Sequence, residues 1–200
     1  MIGAVLRSMR AVAGLLLLAL VFAPGAARAA DDPLAKLFGG PFELIDHSGA
    51  ARTDKSFRGR FLLIDFGYTS CPDICPTNLA TIGAALDELG ETGDAITPLF
   101  ISIDPARDEL GLLEGYVKSF HPRMIGLTGS EQQIQAVSRA YRIHRRKIPQ
   151  PDADPKTDYL VDHSSITYLV GPDGTFRTLF PHDTKLNFMV RTIRKYLGQG

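Results

Sequence analysis

The run Phe61-Leu62-Leu63-Ile64-Asp65-Phe66, apolar at five of its six positions and closed by Gly67, constrains the fold more than any other segment. A nearly continuous apolar run of this length marks a strand buried on both faces, and such strands lie in sheets with helices on either side. Ile96 to Ile103 has the same character, although Pro98 near its start lacks a ladder donor. Between the two runs, Leu79, Ile82, Leu86 and Leu89 recur at helical spacing until Gly90, a stop signal. Phe42 to Ile45 reads as an earlier strand, followed by a turn at His47-Ser48-Gly49.

Downstream, Leu110, Leu113, Val117 and Phe120 mark another helix, and Ile125 to Leu127 a short strand. Ser130-Glu131-Gln132-Gln133 fits a capping box, and its helix continues through Ile134, Val137 and Tyr141. Ile148 to Asp158, with three prolines and several acids, is expected to be an irregular loop. Ser165 to Val170 and Thr175 to Phe180 flank Gly171-Pro172-Asp173-Gly174 as a hairpin, and Leu186, Met189, Val190, Ile193 and Leu197 form a final amphipathic helix. This alternation predicts an α/β fold, a mixed central sheet flanked by helices, with an N-terminal extension. Its domain is expected over residues 41–200, after a linker at 31–40.

The chemistry concentrates directly after the first buried strand, in Tyr68-Thr69-Ser70-Cys71-Pro72-Asp73-Ile74-Cys75-Pro76, which holds both cysteines of the chain. Each cysteine precedes a proline, which disfavours helical geometry at the residue before it. Pro76 is therefore expected at the first helical position with Cys75 as its cap. The pair then lies between a strand and a helix N-terminus, where the helix dipole favours thiolate. A structural disulfide is the plainest alternative, but a domain of about 160 residues needs no staple. A redox pair usually has two intervening residues, and here there are three. Two thiolates suit Cu(I), and an added imidazole makes a site that also tolerates Cu(II). Zinc would be one ligand short of a structural tetrahedron.

The redox setting of those thiols depends on location. Arg7 and Arg10 precede the apolar stretch Ala11 to Ala23, then Pro24-Gly25 and Ala27-Arg28-Ala29. That order is expected for a signal peptide or an N-terminal membrane anchor over residues 1–30. The resulting expectation is an exported protein, periplasmic or anchored to the outer face of the cytoplasmic membrane. With 22 basic and 22 acidic residues, no broad field favours nucleic acid.

Five histidines compete to complete a metal site: His47, His121, His144, His163 and His182. His163, in Asp158-Tyr159-Leu160-Val161-Asp162-His163-Ser164 before an apolar strand, is modestly ahead on placement, while His121 and His144 read as surface positions. Asp162 is a candidate to orient or tune such a site. The basic run Arg142, Arg145, Arg146 and Lys147 reads as a solvated face, with a partner surface as its alternative.

The cysteine motif, Ser102-Ile103-Asp104-Pro105-Ala106-Arg107-Asp108, Phe120 to Gly129 and the segment around His163 together resemble the Sco/SenC family. The resemblance covers roughly Gly40 to the C-terminus. It implies a thioredoxin-like fold binding one copper through Cys71, Cys75 and His163, with Asp162 at a position linked to copper handling. It also implies a copper metallochaperone for the copper-A centre of cytochrome c oxidase, with that subunit and other periplasmic copper chaperones or thiol reductants as partners. Thiol-disulfide reduction of the oxidase cysteines by Cys71 and Cys75 stands as the alternative. Asp104, Arg107 and Asp108 are expected to serve turns and salt bridges rather than catalysis.

Overall fold

The computed structural model describes residues 37–152, 154 and 157–199, so the expected leader and most of the linker lie outside it. Its centre is the strand that the apolar run predicts, β3 (Phe61–Gly67), which pairs in parallel with β4 (Ile96–Ser102) and antiparallel with β8 (Ile166–Val170). The seven-stranded mixed sheet adds β1 (Glu43–Asp46), β2 (Ala51–Thr53), β5 (Ile125–Thr128) and β9 (Phe176–Pro181), in the order β2-β1-β5-β4-β3-β8-β9. The hairpin at Gly171-Pro172-Asp173-Gly174 is β8–β9, as expected. Pro98 lies inside β4 without harm. It stands opposite Leu63, and pairing to β5 begins only at Leu99, so β4 has a neighbour on one side only at that point.

The helices cover both faces because the strands alternate their apolar side chains. On one face Leu63, Phe100 and Leu169 meet α1 (Ile74–Leu89), α2 (Leu110–Lys118) and α4 (Leu186–Tyr196). On the other, Ile64, Phe66, Ile101 and Tyr168 meet α3 (Glu131–Ala140) through Ile134 and Val137. The capping box of α3 forms as its sequence predicts: Ser130 Oγ accepts from the Gln133 amide at 3.3 Å, and Gln133 Oε1 from the Ser130 amide at 2.8 Å.

Three local expectations are corrected. First, α1 begins at Ile74 with Asp73 at its cap, so Cys75 is inside the first turn and Pro76 is its third residue. First-turn amides have no intrahelical partner, so a proline there sacrifices no helical bond. Second, the segment expected to be a loop opens with a strand. β6 (Arg145–Pro149) and β7 (Tyr159–His163) form a separate two-stranded antiparallel sheet, and only the residues between them are irregular. Only Arg145 and Ile148 of β6 are half-buried, three positions apart, so no period-two pattern marks the strand among its charges. Third, His121 is buried, its Nδ1 accepting from the Arg123 amide at 3.1 Å, and is not a surface residue.

Candidate metal centre

Strand β3 ends at Gly67, and the chain turns through Tyr68 to Cys71 before entering α1. The Cys71 amide donates to the Tyr68 carbonyl at 3.1 Å, which closes that turn. Cys71 is half-buried in the loop and Cys75 is buried. The Cys75 amide, one of the unpaired first-turn donors, points at Cys71 Sγ at 3.5 Å. Gly67 lets Cys75 sit against the strand: a Cβ there would lie 2.6 Å from Cys75 Sγ and 2.8 Å from a Phe100 ring carbon.

His163 is the last residue of β7, so it reaches the cysteines from a strand and not from a loop. Its Nδ1 donates to the Ser164 carbonyl at 3.0 Å, and its Nε2 stands 3.6 Å from Cys75 Sγ. That arrangement leaves Nε2 as the nitrogen facing the cysteines, its ring held by the opposite bond. One ligand atom each from Cys71, Cys75 and His163 lies within 4.8 Å of the others, forming the one such group among the described residues. Two soft thiolates and an imidazole fit copper, with one side open to a cleft of about 290 Å³ lined by Tyr68, Pro72, Ile148 and Leu160.

The two thiols are unlike. A hydrogen bond from Cys75 is the main cause that lowers the Cys71 thiol, and His163 and the amides of Cys75 and Asp73 add to it. Cys75 moves the other way, because it donates to Cys71 and is desolvated. Burial alone would lower the His163 imidazole, but bonding to Cys71 and to the Ser164 carbonyl, with Asp65 nearby, raises it. The two thiols thus divide their roles, with Cys71 favoured as the thiolate and Cys75 as the proton holder, and the surroundings of His163 favour its protonated form.

A polar brace ties the β6–β7 hairpin, which bears His163, to the main sheet. Asp104 is fully buried and accepts from Arg107 Nε at 2.5 Å and from the Tyr159 hydroxyl at 2.7 Å. Arg107 lies 3.8 Å from the Tyr159 ring centroid and donates to the Tyr159 carbonyl at 2.9 Å. Asp108 holds the cysteine loop itself, accepting from Thr69 Oγ1 at 2.7 Å and from Ser102 Oγ at 2.6 Å. The expected salt-bridge and turn roles of Asp104, Arg107 and Asp108 therefore serve both ligand-bearing segments.

Asp162 lies next to His163, but strand alternation turns its side chain away from the ring. Its carboxylate reaches Arg146 at 3.4 Å and His144 at 3.6 Å. His47 accepts from the Gly126 amide, and His182 pairs with Asn78, both at a distance from the cysteines in sequence and in structural role. Sequence reasoning missed Tyr159, whose partner Asp104 is distant in the chain, and Asp65, the one acid in the first apolar run. Asp65 is buried beside α1, its Oδ1 accepting from Thr167 Oγ1 at 2.7 Å and Asn78 Nδ2 at 3.3 Å. A lone acid inside a buried run was the signal available for it.

Residues 30–198 match the family described as SCO1/SenC. The chain is 42% identical over 163 residues to the Homo sapiens protein SCO1 homolog, mitochondrial, covering 80% of this chain and 53% of that one. It is likewise 42% identical over 163 residues to the Arabidopsis thaliana protein SCO1 homolog 1, mitochondrial, covering 79% and 48%. The chain thus spans about half the length of these curated relatives. A crystal structure of Arabidopsis thaliana ScoI with copper bound superposes with a TM-score of 0.75 at 39% identity, over 82% of this chain and 99% of that one. The expected thioredoxin-like fold is borne out. The expected periplasmic location is corrected, because these relatives are mitochondrial proteins. A basic, acid-free leader is common to export signals and organelle presequences, so residues 1–30 did not discriminate between them. No helix among the described residues is long and apolar enough to cross a membrane.

Proposed function

Because this chain belongs to the SCO1/SenC family, we propose that it is a copper metallochaperone of cytochrome c oxidase assembly. In this reading Cys71, Cys75 and His163 hold one copper as cargo, and residues 41–200 are the domain that carries it. The observation that supports this most is the convergence of two sulfurs and an imidazole nitrogen within 4.8 Å. Loading begins at the Cys71 thiolate. The Cys75 thiol then gives up its proton to solvent, His163 offers a proton-free Nε2, and both become ligands. Release reverses this order: a thiolate or imidazole of the recipient enters from the open side and displaces one ligand at a time. The recipient is the copper-A subunit, and oxidation of Cys71 and Cys75 to a disulfide removes two of the three ligands.

Anaerobic copper titration of the wild type and of Cys71→Ala, Cys75→Ala and His163→Ala tests the ligand set. Each variant should lose tight stoichiometric binding, and full retention by His163→Ala would end the assignment. A second reading, thiol-disulfide reduction of the recipient cysteines, is favoured by the unequal thiols, since an activated Cys71 beside a protonated Cys75 suits disulfide exchange. Reduction of an oxidised target peptide without copper should survive His163→Ala if that reading holds.

A further inference from the structure

The basic run read from the sequence as a solvated face lines a cleft. Between α3 and β6 lies a concavity of about 450 Å³ with Ile103 and Val161 in its lining. Its charged lining is Arg139 from α3, Arg145, Arg146 and Lys147 from β6, and one acid, Glu131. On a chain whose charges balance overall, four permanent cations to one carboxylate is a local concentration. Glu131 is engaged, since Arg145 meets it at 2.7 Å. The other acids that face these cations hold them loosely: Asp162 is 3.4 Å from the largely exposed Arg146, and Asp104 is 3.9 Å from Lys147. Arg139 is exposed and has no ion pair among the described residues.

These cations are spread out and do not converge on one point. The most accessible of them, Arg139 on α3 and Arg146 on β6, come from two elements, a spread that suits an extended segment better than one small anion. Arg145 is held by Glu131, and Lys147 donates to the Tyr159 hydroxyl at 3.0 Å. Among the described residues β6 pairs with β7 alone, so its other edge has main-chain groups with no strand partner there. Two strands joined by an acidic extended segment is a common mode of recognition. The cleft also adjoins the metal centre. Arg145 stands opposite His163 in the β6–β7 register, and Val161 lines both this cleft and the one beside Cys71.

We infer that the cleft between α3 and β6 is a docking surface for an extended acidic segment of a protein partner. That this partner is the one exchanging copper rests on the function proposed above; the binding itself does not. A segment held there runs past the hairpin that bears His163, which brings the partner's own ligands to the open side of the metal.

The test uses the full chain without metal and a fluorescent peptide alternating Glu and Ser, with a Lys and Ser peptide as control. Anisotropy should register binding of the acidic peptide alone, weakening as salt rises past a Debye length of about 8 Å. Arg139→Glu should weaken it roughly three- to tenfold. Gln135→Glu adds a charge to the exposed α3 wall without removing any contact, and should weaken it in the same direction. Both variants should bind copper like the wild type, so loss of copper binding and loss of peptide binding are separate results. No binding of the acidic peptide by the wild type, or binding by both variants as tight as that of the wild type, overturns the inference. Tighter binding of anionic lipid vesicles or inorganic phosphate than of the peptide, with the same sensitivity to Arg139→Glu, overturns it as well, in favour of a lipid or small-anion site.

Discussion

Replacing Asp65 with Asn should make the protein more stable at alkaline pH and remove much of its pH sensitivity. Burial, the largest influence on this carboxyl, raises it from 3.8 to about 7, against the lowering effect of bonds from Thr167 and Asn78 and of His163. The sign follows from proton binding. The folded state holds this proton more tightly than the unfolded chain, so stability falls as pH rises between the two values and the full penalty is present above the higher one. A rise from 3.8 to about 7 is worth roughly 4 kcal/mol, of which about 3 kcal/mol accrues between about pH 5 and about pH 8. Asn keeps the Oδ1 acceptor for Thr167 and Asn78 but puts an amide donor where Oδ2 has no partner, a cost of about 1–3 kcal/mol. That cost is the same at both pH values, so it cancels from the comparison. Urea unfolding of the reduced, metal-free proteins at the two pH values measures it. The wild type should lose about 3 kcal/mol more than Asp65→Asn across the interval. Equal losses by the two proteins would refute the assignment of the penalty to Asp65.

Three further outcomes are expected. Gly67→Ala should destabilise the fold by roughly 1–3 kcal/mol, because its new methyl meets Cys75 Sγ and Phe100, neither of which has room to move, and should weaken copper binding as well; urea unfolding with copper titration reads both. Arg107→Gln leaves the buried Asp104 carboxylate short of its closest cation, which should cost about 3 kcal/mol, and amide exchange over Tyr159–His163 should accelerate more than exchange in β3. Arg107→Lys should restore little, since an ammonium cannot both stack on Tyr159 and reach two carbonyls. Copper affinity should rise with pH through neutrality, because loading expels the Cys75 proton and needs a proton-free Nε2 on His163; a pH-independent affinity would contradict Cys75 as the proton holder.

The strands that build the sheet were legible because burial on both faces leaves a strong apolar signature, as in Phe61–Phe66. The cysteine pair and its place at the end of β3 were legible for the same reason. The start of α1 was misread because the proline rule was applied to Cys75 without the exemption that a first turn enjoys. β6 was missed because its backbone is set by pairing with β7, while its run of long cations shows no period-two pattern. His163 was singled out by resemblance, since nothing local in Asp162-His163-Ser164 fixes which strand it approaches. Asp104 and Tyr159 meet across 55 positions of chain, a separation that no local pattern registers.

The three donors belong to two differently anchored pieces of the molecule: the cysteines to the sheet and α1, the histidine to the small β6–β7 sheet held by the brace. In the proposed function the sulfurs alone would make a two-coordinate site suited to Cu(I), whereas Cu(II) would need the nitrogen as well. Preference for one oxidation state over the other is therefore set by how firmly the hairpin is held down. Changes in the brace would retune which form of the metal is kept, with both sulfurs left untouched.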